Sequence, residues 1–122
     1  MESERSDSLI GIDCGASKVL LQSAKINPKR TTISKGKYYK EYLYSSHPDW
    51  DPNYQPTPLD AQINENNSKS ILIGEAEKKQ ADVIVETLRN VIARNADSEI
   101  GICFPGIKDT DGVTILANGP RI

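Results

Sequence analysis

The sequence has few of the residues that build metal sites and disulfide frameworks. Among its 122 residues there are two cysteines, Cys14 and Cys103, and a single histidine, His47. Each cysteine lies in an apolar, strand-like run, and neither has a second cysteine or a histidine at the spacing of metal ligands. We therefore expect buried, reduced thiols and no zinc site.

Long apolar runs and an excess of one charge are also missing. No segment approaches the length of apolar sequence, about 20 residues, that crosses a bilayer. Residues 1–8, MESERSDS, lack the basic and apolar regions of a secretory signal, and the net charge of -2 gives no basic surface for nucleic acid. The composition predicts a cytoplasmic chain with no membrane partner and no nucleic-acid partner.

The first half of the chain contains short strand-like segments. Residues 8–13 and 18–26 are apolar runs separated by a small-residue turn, which predicts a β-hairpin. Residues 27–37 are polar and predict a loop, whereas residues 38–44, YYKEYLY, are rich in strand formers. Residues 46–70 contain four prolines and no apolar periodicity, so we interpret them as a long loop insert.

The second half contains a strong helix and further strands. Ile84, Leu88, Val91 and Ile92 recur at three- and four-residue spacing, which predicts a helix over residues 75–95. Residues 99–104 follow as a buried-type strand, residues 109–112 as a turn and residues 113–116 as a last short strand. The order predicts an α/β fold with a three-stranded antiparallel meander, a long helix and a fourth strand parallel to an earlier one.

The turn between the first two strands carries groups suited to phosphate chemistry. Asp13 ends a strand, where its carboxylate can hold the water shell of a Mg²⁺ ion. Gly15 and Ala16 have little side chain, so their backbone N–H groups can approach phosphate oxygens. Ser17 adds a hydroxyl and Lys18 a positive charge, and phosphoryl transfer uses such groups. The same residues also fit an ordinary hairpin turn with a solvated lysine, and the spacing of a P-loop is absent.

Two segments resemble one known family. Residues 9–18, LIGIDCGASK, resemble the first phosphate motif of the sugar kinase, Hsp70 and actin superfamily, whose ROK members typically have G-I-D-x-G-G-T-K. Residues 100–106, IGICFPG, resemble a second ROK feature, a strand with G-I-x-x-P-G, and an acidic turn follows it at residues 109–112. The resemblance implies half of a ribonuclease H-like (actin-like ATPase) domain, the opening of a ROK N-terminal lobe.

The resemblance also implies roles for individual residues. Asp13 would lie near Mg²⁺ and bind it through water. Pro105 and Gly106 would lie near the sugar cleft, and Asn118 would approach it. The phosphates of ATP would be lined by Gly15, Ala16, Ser17 and Lys18.

The chain departs from the family pattern in three ways. Ala16 replaces the usual second glycine and restricts φ, and Ser17 replaces threonine but keeps the hydroxyl. The sequence also ends at Ile122, before the E-N-D-x-N-like motif of the catalytic base, the zinc motif, the second phosphate motif and the adenosine pocket. Because phosphoryl transfer needs two lobes to close on both substrates, we expect no catalytic residue in this chain and no activity from it alone.

Other functions stay open at this stage. ROK proteins include sugar-responsive transcriptional regulators, but only eight residues precede Leu9, so a regulator would lack its DNA-binding domain. A non-catalytic sugar-binding module is suggested by Trp50 and Tyr54, whose rings either stack on a sugar or pin the long loop to the domain. BadF/BadG-like ATPases and acetylglucosamine kinases have similar first motifs. Unpaired strand edges would also allow a homodimer.

Overall fold

The computed structural model describes residues 9–29, 31–104, 106–108, 114–115 and 119–122. Three strands come first, β1 (Leu9–Cys14), β2 (Lys18–Asn27) and β3 (Thr32–Leu43), followed by a 3₁₀ turn (Tyr44–Ser46). Two helices and three short strands follow, α1 (Leu59–Asn67), α2 (Glu75–Arg94), β4 (Glu99–Cys103), β5 (Ile107–Lys108) and β6 (Thr114–Ile115). The turn predicted at residues 109–112 lies outside the described residues, and β6 pairs with β5 in a separate two-stranded sheet.

The main sheet has the strand order β3-β2-β1-β4. Strands β1, β2 and β3 form an antiparallel meander, and β4 pairs parallel to β1. The predictions of an α/β fold, a meander and a parallel strand after the helix are therefore confirmed. Since parallel strands end at the same edge of a sheet, the turn after β1 and the chain after β4 leave the sheet side by side.

One face of the sheet is buried against α2. In β1 the side chains alternate, so that Ile10, Ile12 and Cys14 are buried while Gly11 and Asp13 are exposed. The core cluster on this covered face also contains Val19 and Leu21 of β2 and Val83, Ile84 and Val91 of α2. Burial of each large apolar side chain of this kind contributes about 1.5–3 kcal/mol, which fixes the hairpin on the helix.

Helix α2 agrees with the predicted range of 75–95 to within one residue at its end. Leu88 and Ile92 pack, partly buried, against the core cluster, as their spacing predicted. Two acidic residues lie in the first turn of the helix and Arg94 lies in the last, which is the favourable arrangement for the helix dipole. Among the described residues, no helix combines the length and the apolar character needed to cross a membrane.

The predicted loop over residues 27–37 is wrong from residue 32 onward, because β3 begins at Thr32. Ile33 pairs with Ile26 across the hairpin, and β-branched residues favour extended backbone. Between Gln22 and Ala24 of β2 the pairing with β3 is irregular: Gln22 pairs with Tyr39 and Ala24 with Lys35, so the register shifts at this point.

The interpretation of residues 46–70 as a loop is wrong for residues 59–67, which form α1. The apolar residues of this helix do not mark its buried side, since Leu59 and Ile63 are 41% and 40% exposed while Gln62 is 1% exposed. The Gln62 side-chain amide donates to the Thr57 carbonyl at 2.7 Å. Because the buried residue of α1 is a glutamine, the sequence of this helix shows no apolar periodicity.

The prediction of two buried thiols holds for Cys14 and is wrong for Cys103, which is exposed. Cys103 ends β4, and β4 is the last strand of the four-stranded sheet. Its register partner on β1 is Asp13, so its side chain shares the exposed face of the sheet with that carboxylate.

Candidate functional site

The turn between β1 and β2 is closed by one backbone hydrogen bond. The Gly15 N–H donates to the Lys18 carbonyl at 2.9 Å. A Cβ atom at position 15 would lie 3.3 Å from that same oxygen, closer than ordinary van der Waals contact. Glycine therefore fits this position because the two backbones approach closely. Ala16 and Ser17, at the tip of the turn, are exposed.

The methyl group of Ala16 introduces no backbone strain. Among the described residues other than glycine, a positive φ occurs at Thr31 and Lys69. Ala16 thus has a backbone conformation that any residue adopts. The restriction of φ expected from replacing glycine does not disturb this turn.

Asp13 and Lys18 lie on the same face of the sheet. Asp13 pairs with Leu20 across the hairpin, and side chains of paired residues share a face. Lys18 is two residues before Leu20 on β2, so it shares that face as well. The exposed Asp13 carboxylate and the Lys18 ammonium therefore flank the turn on the side away from the core.

Lys18 already has a carboxylate partner. Its Nζ lies 3.2 Å from Glu41 of β3, and both side chains are more than one third exposed. Glu41 also accepts a hydrogen bond from the Tyr39 hydroxyl. The hydrogen bonds from Tyr39 and Lys18 hold the pKa of Glu41 below its ordinary value. An anion at the turn would share the Lys18 charge with Glu41.

The second segment singled out in the sequence lies beside the first. Gly11 pairs with Gly101 and Asp13 with Cys103 in the parallel ladder of β1 and β4. Gly106, three residues after β4, has a φ of 119°, a conformation that favours glycine. Pro105 and Asn118, the other residues assigned to a sugar cleft, lie outside the described residues.

Tyr44 contacts the turn from the covered face, a role that sequence reasoning missed. It is fully buried, and its hydroxyl donates to the Gly15 carbonyl at 2.9 Å. Its backbone N–H donates to the Ser17 carbonyl at 3.1 Å. In the sequence, Tyr44 is one of four tyrosines in the predicted strand over residues 38–44 and has no distinguishing signal.

The aromatic and histidine side chains of residues 46–58 contact the domain. Trp50 packs against the core cluster, with its ring centroid 5.2 Å from that of Tyr44. His47 Nε2 lies 2.8 Å from the Glu86 carboxylate of α2, and its Nδ1 accepts the N–H of Asp49. Of the two roles considered for Trp50, these contacts favour packing of the segment over stacking on a sugar. Tyr54 is half-buried.

A second polar cluster surrounds Arg121 and was not visible in the sequence. Its guanidinium donates to the Glu77 carboxylate through Nε at 2.9 Å and Nη2 at 2.7 Å, and to Glu65 through Nη1 at 2.7 Å. The Leu72 carbonyl accepts a further bond from Nη2 at 2.9 Å. We call these four residues the Arg121 cluster. It ties α1, the segment after it and the first turn of α2 to the residues near 121.

The donor set at the turn fits a magnesium ion bound largely by water and phosphate. Within the described residues, no three His, Cys, Asp or Glu side chains converge as metal ligands. Magnesium usually keeps several waters and takes one or two carboxylates together with substrate phosphates. Asp13 alone can supply the protein's share of such a site.

Comparison of the chain with known protein families, with curated proteins and with solved structures found no match.

Proposed function

We propose that this chain is the phosphate-binding part of a ROK-like, ATP-dependent sugar kinase. The observation that supports this most is the pairing of β1 with β4. The two segments that resemble ROK motifs are parallel neighbours in register, from Leu9 opposite Glu99 to Asp13 opposite Cys103. Because parallel strands end at the same edge of a sheet, the residues that follow both segments lie side by side, where one ligand can contact both. The meander, helix and parallel strand are also compatible with the opening of the ROK N-terminal lobe.

In this proposal the residues of the turn have separate tasks. Asp13 holds the water shell of Mg²⁺, and the ion when bound neutralises phosphate charge. The exposed tip at Ala16 and Ser17 offers a backbone N–H and a hydroxyl to phosphate oxygens. Lys18 adds a positive charge, which Glu41 partly offsets. Gly106 follows the neighbouring strand and lies toward the sugar side.

The chain binds but does not catalyse on its own. Phosphoryl transfer requires a base for the attacking hydroxyl and a closed site that excludes water. The turn supplies phosphate contacts and a carboxylate for the metal, and we assign no base among the described residues. Sugar and ATP are thus proposed as ligands of the larger protein, with the phosphates bound at this turn.

Calorimetric titration with Mg²⁺ and a non-hydrolysable ATP analogue tests the proposal. We expect the wild-type chain to bind and Asp13→Asn to bind about tenfold more weakly, a loss of about 1.4 kcal/mol. Asp13 is exposed, so the substitution removes a charge without disturbing the core. The weaker binding should be absent when Mg²⁺ is omitted for both proteins.

Asp97→Asn is the matched control. Asp97 is also exposed, but it lies just before β4 begins, at the opposite end of the parallel strands. Its replacement should leave the affinity unchanged. Absence of binding by the wild-type chain at millimolar analogue, or equal affinity for wild type and Asp13→Asn, would refute the proposed function.

A further inference from the structure

Tyr44 holds both carbonyl groups that flank Ala16. Its side-chain hydroxyl donates to the Gly15 carbonyl at 2.9 Å, and its backbone N–H donates to the Ser17 carbonyl at 3.1 Å. The residue follows β3 directly and is fully buried. One residue therefore fixes the two peptide groups on either side of the tip of the turn, the first through its side chain and the second through its backbone.

The direction of the hydrogen bond between Cys14 and Tyr44 follows from the one that the Tyr44 hydroxyl donates to Gly15. Cys14 Sγ lies 3.4 Å from the Tyr44 hydroxyl, and the single hydroxyl proton is directed to Gly15. The thiol must then donate to the hydroxyl oxygen. Burial raises the pKa of both Cys14 and Tyr44, so both groups keep their protons near neutral pH. The hydrogen bonds therefore run from the Cys14 S–H to the Tyr44 hydroxyl, and from that hydroxyl to the Gly15 carbonyl.

The orientation of the Ala16 amide follows from this contact. In a trans peptide the C=O and the next N–H point in opposite directions. Because the Gly15 carbonyl points to the buried Tyr44 hydroxyl, the Ala16 N–H points away from the core. That is the side of the sheet on which Asp13 is exposed.

We infer that Tyr44 is a positioning residue, whose hydroxyl directs the Ala16 N–H toward a bound phosphate. The inference rests on the proposed function and adds a residue that contacts no ligand itself. A fixed amide loses no freedom when an anion binds, which raises affinity without a new contact. Tyr44 also packs against Trp50, so the segment after β3 is coupled to the turn through the same ring.

Tyr44→Phe removes the hydroxyl and keeps the ring, the Trp50 contact and the backbone hydrogen bond to Ser17. We expect the Mg²⁺–ATP analogue to bind about fivefold more weakly, which is a loss of about 1 kcal/mol of binding free energy. We also expect faster amide hydrogen exchange at Gly15, whose N–H closes the turn on Lys18. Affinity is measured by calorimetry well below the unfolding temperature of each protein, and exchange by NMR.

Tyr42→Phe is the matched control, since Tyr42 lies on β3 two residues before Tyr44 and packs, partly buried, against the same core. It should change neither the Gly15 exchange nor the affinity. If wild type binds and Tyr44→Phe binds equally well, the Tyr44 inference is wrong and the proposed function stands. If wild type binds no analogue, both are wrong.

Discussion

The Arg121 cluster and the β1–β2 turn are both polar, but they differ in burial and in pairing. The Arg121 side chain is 3% exposed and that of Glu77 is 7% exposed, and the two charges are joined by a two-pronged contact. At the turn, by contrast, Asp13, Ala16 and Ser17 are exposed. Polar groups that already satisfy one another hold elements together, whereas exposed groups at a fixed turn are free to contact a ligand.

The difference follows from the free energy of removing charge from water. A buried guanidinium and carboxylate each lose several kcal/mol of hydration, which only close pairing offsets. Such a cluster cannot open to bind a ligand without losing the pairing that offsets the lost hydration. The exposed turn loses little hydration before a ligand arrives, so its groups remain available for the phosphate and Mg²⁺ of the proposed function. Substitutions in the two regions should therefore affect different measurements.

Breaking the Arg121 cluster should give the largest loss of stability. Arg121→Met keeps most of the side-chain volume and leaves the Glu77 carboxylate buried without its partner. We expect the free energy of unfolding to fall by about 3–5 kcal/mol, measured by urea denaturation at neutral pH. A loss below about 1 kcal/mol would contradict the structural role of the cluster.

Arg89→Met provides the control for this substitution. Arg89 is exposed on α2, and its replacement should change stability by less than about 0.5 kcal/mol. The double variant Arg121→Met with Glu77→Leu should recover part of the loss, because no buried charge is then left unpaired.

Acid should weaken the same cluster. Burial raises the pKa of Glu77, but hydrogen bonds from Arg121 outweigh it and hold the pKa below the ordinary value of 4.5. The Leu72 N–H and Arg121 likewise lower the pKa of Glu65. A carboxylate with a lowered folded-state pKa contributes stability above the ordinary value, and this contribution is lost as pH falls through the folded-state pKa.

The difference in unfolding free energy between wild type and Arg121→Met should therefore narrow from about pH 7 to about pH 3. Protonated Glu77 is neutral, so its burial without the Arg121 guanidinium costs much less free energy. Urea denaturation of both proteins across this range measures the effect, and Arg89→Met should follow wild type in parallel. A constant difference across the range would show that the ion pair is not what Arg121 contributes.

The parts of the fold that the sequence predicts are those in which apolar periodicity coincides with burial. The hairpin is marked by alternating apolar residues around a small-residue turn, and α2 by Ile84, Leu88, Val91 and Ile92. The parallel pairing of β4 followed from the helix between it and the meander. In α1, however, Gln62 is the buried residue, so a search for apolar spacing finds nothing.

The candidate site was predictable in part for a similar reason. Asp13 through Lys18 form one contiguous segment, and their chemistry can be considered without coordinates. Tyr44 acts on that segment from 29 residues away, and Arg121 meets Glu77 across 44 residues. Contacts over such separations depend on the packing of several elements, which local sequence patterns do not encode.

The smallest predicted effect concerns the pair that links the turn to β3. Glu41→Gln removes the carboxylate partner of Lys18 and should leave the free energy of unfolding nearly unchanged, because the pair is exposed and screened by solvent. With its charge no longer shared, Lys18 should bind phosphate better, and calorimetry should show roughly two- to threefold higher affinity for the Mg²⁺–ATP analogue.

The matched control is Asp82→Asn, which breaks the exposed Lys78–Asp82 pair of α2 and should leave the affinity unchanged. Weaker binding by Glu41→Gln would instead mean that Glu41 holds the Lys18 ammonium in the position that contacts the phosphate. The turn would then depend on a fixed carboxylate, as the Arg121 cluster does.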